Sequence, residues 1–138
     1  MRAIYYTDGS MWNHEGKPRG LSGFLRILKD ENNQTIGVDG RVDFSNHKSV
    51  NTYEKEALLR AMVFAYLGNI PAEIHSDSQA AIESVKGEVS IPDNVTIHKV
   101  AGHSGVFGNE AIDKILNLIK FHSEKRSGKF TLNDVFQI

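Results

Sequence analysis

The chain contains no cysteine. Disulfide frameworks and thiolate metal sites are therefore excluded, and a reducing, cytoplasmic location is the expectation. No apolar run approaches the roughly 20 residues that a membrane span needs, so no membrane partner is expected. The opening stretch, Met1-Arg2-Ala3-Ile4-Tyr5-Tyr6, reaches a charge at Asp8 and is too short and too quickly polar for a signal peptide. Net charge is only −1, which gives no bulk support for a polyanionic partner. There is no internal repeat, low-complexity tract or linker. What remains is an ordinary globular composition, 40% hydrophobic and 24% charged, over 138 residues, and this predicts one domain.

The hydrophobic pattern predicts the order βββαβαβα. Ala3 to Asp8 reads as a strand, followed by a Gly-containing turn region from Gly9 to Gly20. Residues 22–30 read as a second strand, Asn32-Asn33 as a hairpin turn, and 35–45 as a third strand. The period then changes. Leu58, Leu59, Met62, Ala65 and Tyr66 fall at helical spacing over 52–67, with Asn51 as N-cap and Pro71 beyond the end. A strand at 72–77, a helix at about 78–87, a strand at 95–100 and a helix carrying Ile112, Ile115, Leu116 and Ile119 complete the series. Parallel strands joined through helices make right-handed crossovers. The expected fold is therefore α/β: a mixed five-stranded sheet, three antiparallel and two parallel strands, flanked by helices. Its core spans about residues 3–120, and the tail 121–138 is unassigned.

Four acids stand out. Asp8 ends the first strand, Asp77 ends the fourth, Glu54 lies early in the first long helix, and Asp113 lies one turn into the last. Each alone has an ordinary explanation: a turn, a helix cap, a capping box, a helix dipole. Together they read differently. The first and fourth strands should be neighbours, which brings Asp8 and Asp77 side by side. Clustered carboxylates repel one another and raise one another's pKa unless a cation neutralises them. Oxygen-only ligands suit Mg²⁺ or Mn²⁺, and a pair of such ions can stabilise both the attacking and leaving oxygens of a phosphodiester displacement.

The segments Thr7-Asp8-Gly9-Ser10, Ser76-Asp77-Ser78-Gln79 and Gly102-His103-Ser104-Gly105, followed by Asn109-Glu110 and Asp113, resemble the type 1 ribonuclease H family. The last block is the most specific, with its aspartate ten residues after the histidine. The resemblance runs from about residue 3 to about residue 120. It implies an endoribonuclease that cuts the RNA strand of RNA–DNA hybrids with two Mg²⁺ ions (Mn²⁺ substituting), leaving 5′-phosphate and 3′-hydroxyl ends. It assigns Asp8, Glu54, Asp77 and Asp113 to the metals and His103 to proton transfer from a loop. Asn109 is expected to cap the last helix, and Glu110 to support the site from behind. Glu54 is preferred over Glu56 because counting from it buries Ala57, Leu58, Ala61 and Met62, whereas counting from Glu56 would bury Arg60. Substrate contacts are expected at Gly9, Ser10, Ser49, Asn51, Ser78 and Lys120.

Charge distribution bears on grip. With the four acids set aside, the remainder carries +3, and Lys114, Lys120, Lys125, Arg126 and Lys129 face only Glu124 between 114 and 129. Many cellular members of the family add a basic segment after the fourth strand. Here Asp77 and His103 are only 26 positions apart, which leaves no room for it, and no separate hybrid-binding domain is expected before the first strand. Few phosphate contacts predict weak binding with a shallow salt slope by a monomer, with a polymerase or accessory protein as a partner. Two rivals stand beside this reading: another nuclease of the same superfold, and an inactive hybrid-binding module. The resemblance predicts that His103→Ala slows turnover while leaving metal affinity intact. Unchanged turnover from about pH 6 to about pH 9 would remove that role.

Overall fold

The computed structural model describes residues 1–101, 107–120 and 128–131. The first strand is far longer than its apolar core suggests. β1 (Arg2–His14) and β2 (Lys17–Lys29) form one antiparallel hairpin paired from Arg2↔Lys29 to His14↔Lys17. Its two-residue loop has positive φ at both Glu15 (53°) and Gly16 (77°), the requirement of a type I′ turn. The expected turn region at 9–20 is thus strand on both sides of a tight reversal at 15–16. Gly9 and a polar run masked the continuation, because side chains beyond Asp8 lack a buried alternation.

β3 (Thr35–Ser45) returns antiparallel to β2 after a turn in which Asp30 Oδ1 accepts from the amides of Asn32 and Gln34, both at 2.9 Å. Asn33 takes the left-handed conformation there, with φ 61°. α1 (Val50–Gly68) crosses to β4 (Ala72–Ser76), and α2 (Gln79–Glu88) crosses to β5 (Val95–Lys99). β4 pairs parallel with both β1 and β5. α3 (Phe107–Lys120) follows. A sixth strand, β6 (Gly128–Thr131), lies within the stretch left unassigned from sequence and adds antiparallel to β3. The sheet order is β5-β4-β1-β2-β3-β6, so the five expected strands stand in the expected arrangement with one more at the edge.

Strand alternation divides the interior into two layers. Ala3, Tyr5 and Phe24 face α1 and α2, packing with Leu58, Ala61, Met62, Ile74, Ile82 and Val85. Leu21, Leu25 and Val42 point the other way and pack with Ile112, Ile115 and Leu116 of α3. No helix among the described residues is long and apolar enough to cross a membrane.

Helix ends correct two expectations. Ser49, not Asn51, caps α1, its side chain accepting from the amide of Asn51 at 3.2 Å. Both are good cap residues, and the cap falls where the chain leaves its extended conformation. Asn109 is the third residue of α3 rather than its cap, because the helix already begins at Phe107. At the other end of α1, the side-chain amide of Asn94 donates to the carbonyls of Ala65 (2.9 Å) and Ile70 (2.8 Å). It ties the end of the helix to the start of β5. Asn94→Ala should cost about 1–3 kcal/mol in urea denaturation, the loss of two partly buried hydrogen bonds. A cost below about 0.5 kcal/mol would show that water replaces the amide.

Candidate active site

The parallel ladder between β1 and β4 ends at Tyr6↔His75. Just beyond it, Thr7 Oγ1 donates to the His75 carbonyl at 3.3 Å, and Asp8 on β1 and Asp77 after β4 stand side by side. Asp8 is therefore not at the end of its strand. It sits where the strand loses its parallel partner while keeping its antiparallel one. α1 crosses the same point. A Cβ on Gly9 would lie 2.6 Å from the Glu54 amide nitrogen, so only glycine lets helix and strand approach this closely. Glu54 is thereby set against Asp8.

One carboxylate oxygen from each of Asp8, Glu54 and Asp77 lies within 4.8 Å of the others. Asp8 and Glu54 are buried and Asp77 is partly exposed. Asp113 stands at the edge of the group, on α3, near enough for its charge to act on Asp8. Burial and then the neighbouring acids push the Asp8 carboxyl up to about 7, against its contacts with Glu54 and the Gly9 amide. Burial, and next the Asp8 charge, push Glu54 up to about 9. Glu54 Oε2 has no hydrogen-bond partner among the described residues.

The ordinary roles of these acids are taken by other side chains. Ser78 caps α2, accepting from the Ala81 amide at 3.1 Å, and Ser76 Oγ accepts from the Ser78 amide at 3.1 Å. Asp77, between them, is left without a capping duty. With Ser49 as the cap, Glu54 lies too deep in α1 for a capping box. Glu56 is engaged elsewhere. It meets His47 Nε2 at 2.6 Å, Arg60 at 3.3 Å and Ser45 Oγ at 3.4 Å. Asp43 supplies the contrast: equally buried, it has Arg41 at 3.1 Å and Arg60 at 3.4 Å. Among the described residues Asp8, Glu54, Asp77 and Asp113 make no ion pair with any basic group. Buried oxygens without a counter-charge fit a hard divalent cation, which completes its shell with water and substrate oxygens.

The other expected site residues are placed unevenly. Ser10 continues β1 beyond Asp8, and Gly9 and Ser78 are committed to the close approach and the cap. Ser49 and Asn51 are exposed at the start of α1. Asn51 lines a shallow groove of about 300 Å³ with Thr52, Lys55, Ala80, Ala81 and Ser84, between the first turns of α1 and α2. Asn109 is buried and Glu110 half-buried on α3. His103 and the side chain of Lys120 lie outside the described residues, as do Lys125 and Arg126. Lys129 is on β6, three strands from β1, paired with Asp39 at 3.4 Å. It is not part of a basic surface beside the acids. Sequence reasoning missed Ser76. Its signal is the flanking of Asp77 by two serines, either of which can take the turn and cap bonds.

Raised carboxyl pKa values mean that the folded state holds protons more tightly than the unfolded one. Stability present at low pH is then lost as pH rises from about 4 towards about 9. In metal-free buffer the melting temperature should fall between about pH 5 and about pH 8, and Asp8→Asn should flatten that fall. Comparing the two proteins separates the acids from His75, whose pKa is lowered by burial and by His98 and which acts in the opposite sense. Identical slopes would mean that Asp8 is not held in a crowded, buried state.

No family model and no curated protein sequence matches the chain. Solved structures do. LC9-RNase H1, described as a type 1 RNase H with the type 2 active-site motif, has a TM-score of 0.67 at 14% identity, covering 94% of this chain and 77% of that one. The solution structure of the PFV RNase H domain has a TM-score of 0.65 at 18% identity, covering 83% of this chain and 92% of that one. Prototype foamy virus protease-reverse transcriptase reaches 0.68 at 16% identity, over 88% of this chain but 21% of that one. The chain thus spans about a fifth of that viral protein. At such identities the likeness establishes the fold, which is that of the type 1 ribonucleases H.

Proposed function

We propose that the chain is a ribonuclease H, an endoribonuclease that hydrolyses the RNA strand of RNA–DNA hybrids with the help of two divalent cations, Mg²⁺ in preference and Mn²⁺ in its place. One observation carries the reading: three carboxylates from β1, α1 and the end of β4 converge, two of them buried, with no basic partner among the described residues. A binding module gains nothing from that arrangement, which costs stability in the absence of a cation. The motif resemblance in the 102–113 stretch favours ribonuclease H over other nucleases of the superfold.

Asp8, Glu54 and Asp77 would hold the ions, with Asp113 completing the set from α3. When bound, the cations supply charge neutralisation and Lewis-acid stabilisation of the attacking and leaving oxygens. The chain's own groups orient the scissile phosphate against the acids, and the flanking groove with Asn51 receives the adjoining backbone. Water oxygen bonds to phosphorus as the bond from phosphorus to the ribose 3′ oxygen breaks. The products are a 5′-phosphate and a 3′-hydroxyl. His103 is the candidate for carrying the proton that water gives up. Hybrid duplexes are recognised by groove shape, 2′-hydroxyls and phosphates, so little sequence preference is expected. A polymerase or accessory protein would supply additional grip on the hybrid.

The test is a panel of end-labelled substrates with Mg²⁺. The hybrid should be cut in its RNA strand, and duplex DNA and duplex RNA should survive. Cleavage of duplex DNA instead would favour another nuclease of the superfold. Glu54→Gln should lose at least about a hundredfold in rate, and Glu56→Gln should keep most of it, because Glu56 serves His47 and Arg60. The reverse result would move the site's helix residue by two positions.

A further inference from the structure

Glu54 sits early in α1, and its carboxylate is pressed against that of Asp8. Something must hold that end of the helix to the sheet against the repulsion. The first residues offer little: Ser49, Val50 and Asn51 are exposed. Tyr53 is different. It is fully buried, and on α1 it is the only large buried apolar side chain before Leu58. Its ring lies directly over Gly20 of β2, where even a Cβ would collide with it, and its Cβ and backbone lie against Gly9 of β1. Its hydroxyl accepts from the His47 amide at 2.7 Å and donates to the Ser45 carbonyl at 2.9 Å, with the His47 carbonyl at 3.3 Å as a second acceptor. The His47 ring stands edge-on to Tyr53, with centroids 5.2 Å apart, and reaches on to Glu56. One side chain thus joins the end of β3, the link into α1 and the two strands beneath, immediately before Glu54 in the chain.

We propose that Tyr53 is a positioning residue for the metal site: through its hydroxyl it fixes the 45–47 link and so the depth at which the Glu54 carboxylate meets Asp8 and Asp77. This rests on the metal-dependent reading above. Without the hydroxyl, the link loses its anchor and the carboxylates are free to spread apart. A cation must then regather them, so affinity for metal falls. Once the site is loaded, the acids stand where they did and the chemical step is little changed. Groups that orient metal ligands from behind typically govern about 10–100-fold in metal affinity.

Tyr53→Phe keeps the ring and its packing and removes only the hydroxyl. Mn²⁺ binding would be measured by calorimetry on the wild-type protein, on Tyr53→Phe and on Ile82→Val, a buried change in α2. Cleavage of a hybrid would be followed as Mn²⁺ is titrated. The expected result is a Kd for Mn²⁺ raised about tenfold in Tyr53→Phe, turnover at saturating Mn²⁺ within about twofold of wild type, and an unchanged Kd in Ile82→Val. Gly20→Ala keeps the hydroxyl but presses on the Tyr53 ring and on the Ser10 carbonyl of β1, and as a second variant it should raise Kd as well. An unchanged Kd in Tyr53→Phe, or an equal rise in Ile82→Val, would overturn the positioning role. If wild-type protein itself bound no Mn²⁺, the failure would lie with the metal-dependent reading and not with Tyr53 alone.

Discussion

Two carboxylates buried against each other, with no base beside them among the described residues, is an arrangement that a folding chain normally avoids, since desolvation and like charge both oppose it. Asp8 and Glu54 adopt it because the surrounding structure over-determines their positions. β1 cannot shift, being paired on one side with β2 along its whole length and on the other with β4 up to Tyr6. α1 cannot lift easily, because Gly9 lets its backbone sit nearly on the strand and Tyr53 is locked beneath it. The rest of the chain gathers round this junction. α2 is capped by the residue after Asp77, and α3 brings Asp113 in from the opposite layer.

Among the described residues, the neighbouring polar groups are arranged so that none neutralises the acids. Serines do the capping at 49 and 78 and close the turn at 76, leaving the carboxylates out of those bonds. The arginines nearest in sequence to α1's acids are spent on Asp43 and Glu56, which lie along β3 and the outer side of α1. The same chain therefore holds two kinds of buried acid. One is neutralised by guanidinium groups and fastens the helix to the sheet. The other is kept free, at a cost in stability that a bound cation would offset.

Much of this was legible in the sequence. The periodic apolar residues of α1 and α3 gave their faces, and the register that buries Ala57, Leu58, Ala61 and Met62 singled out Glu54 over Glu56. Adjacency of the first and fourth strands followed from crossover rules. Other features could not be read locally. Asp8 looked like a strand end because Gly9 breaks the apolar pattern, and the long hairpin beyond it is stabilised by backbone pairing and a two-residue turn rather than by burial. Serine and asparagine are comparable caps, so the start of α1 was placed two residues late. β6 was missed because four residues, Gly128-Lys129-Phe130-Thr131, are too few to show an alternation. Tyr53 carried no signal at all, since its partners are backbone groups of a link whose path is set by the tertiary fold.

The antiparallel pairing of β6 with β3 has a bearing on how the molecule behaves among its own copies. An edge strand is a row of unsatisfied amides and carbonyls that invites another chain to add on. β3 would be such an edge, eleven residues long, with the sheet open beside it. β6 occupies its middle, pairing Asp39 to Val42, and the Lys129 side chain reaches across to Asp39. Only short flanks of β3 are left unpaired by β6, too brief to template a stack of strands. On the opposite side β5 is five residues long and carries exposed Thr96, His98 and Lys99. Both margins of the sheet are thus guarded against fibrous growth, one by a stub of the chain itself and the other by brevity and polarity.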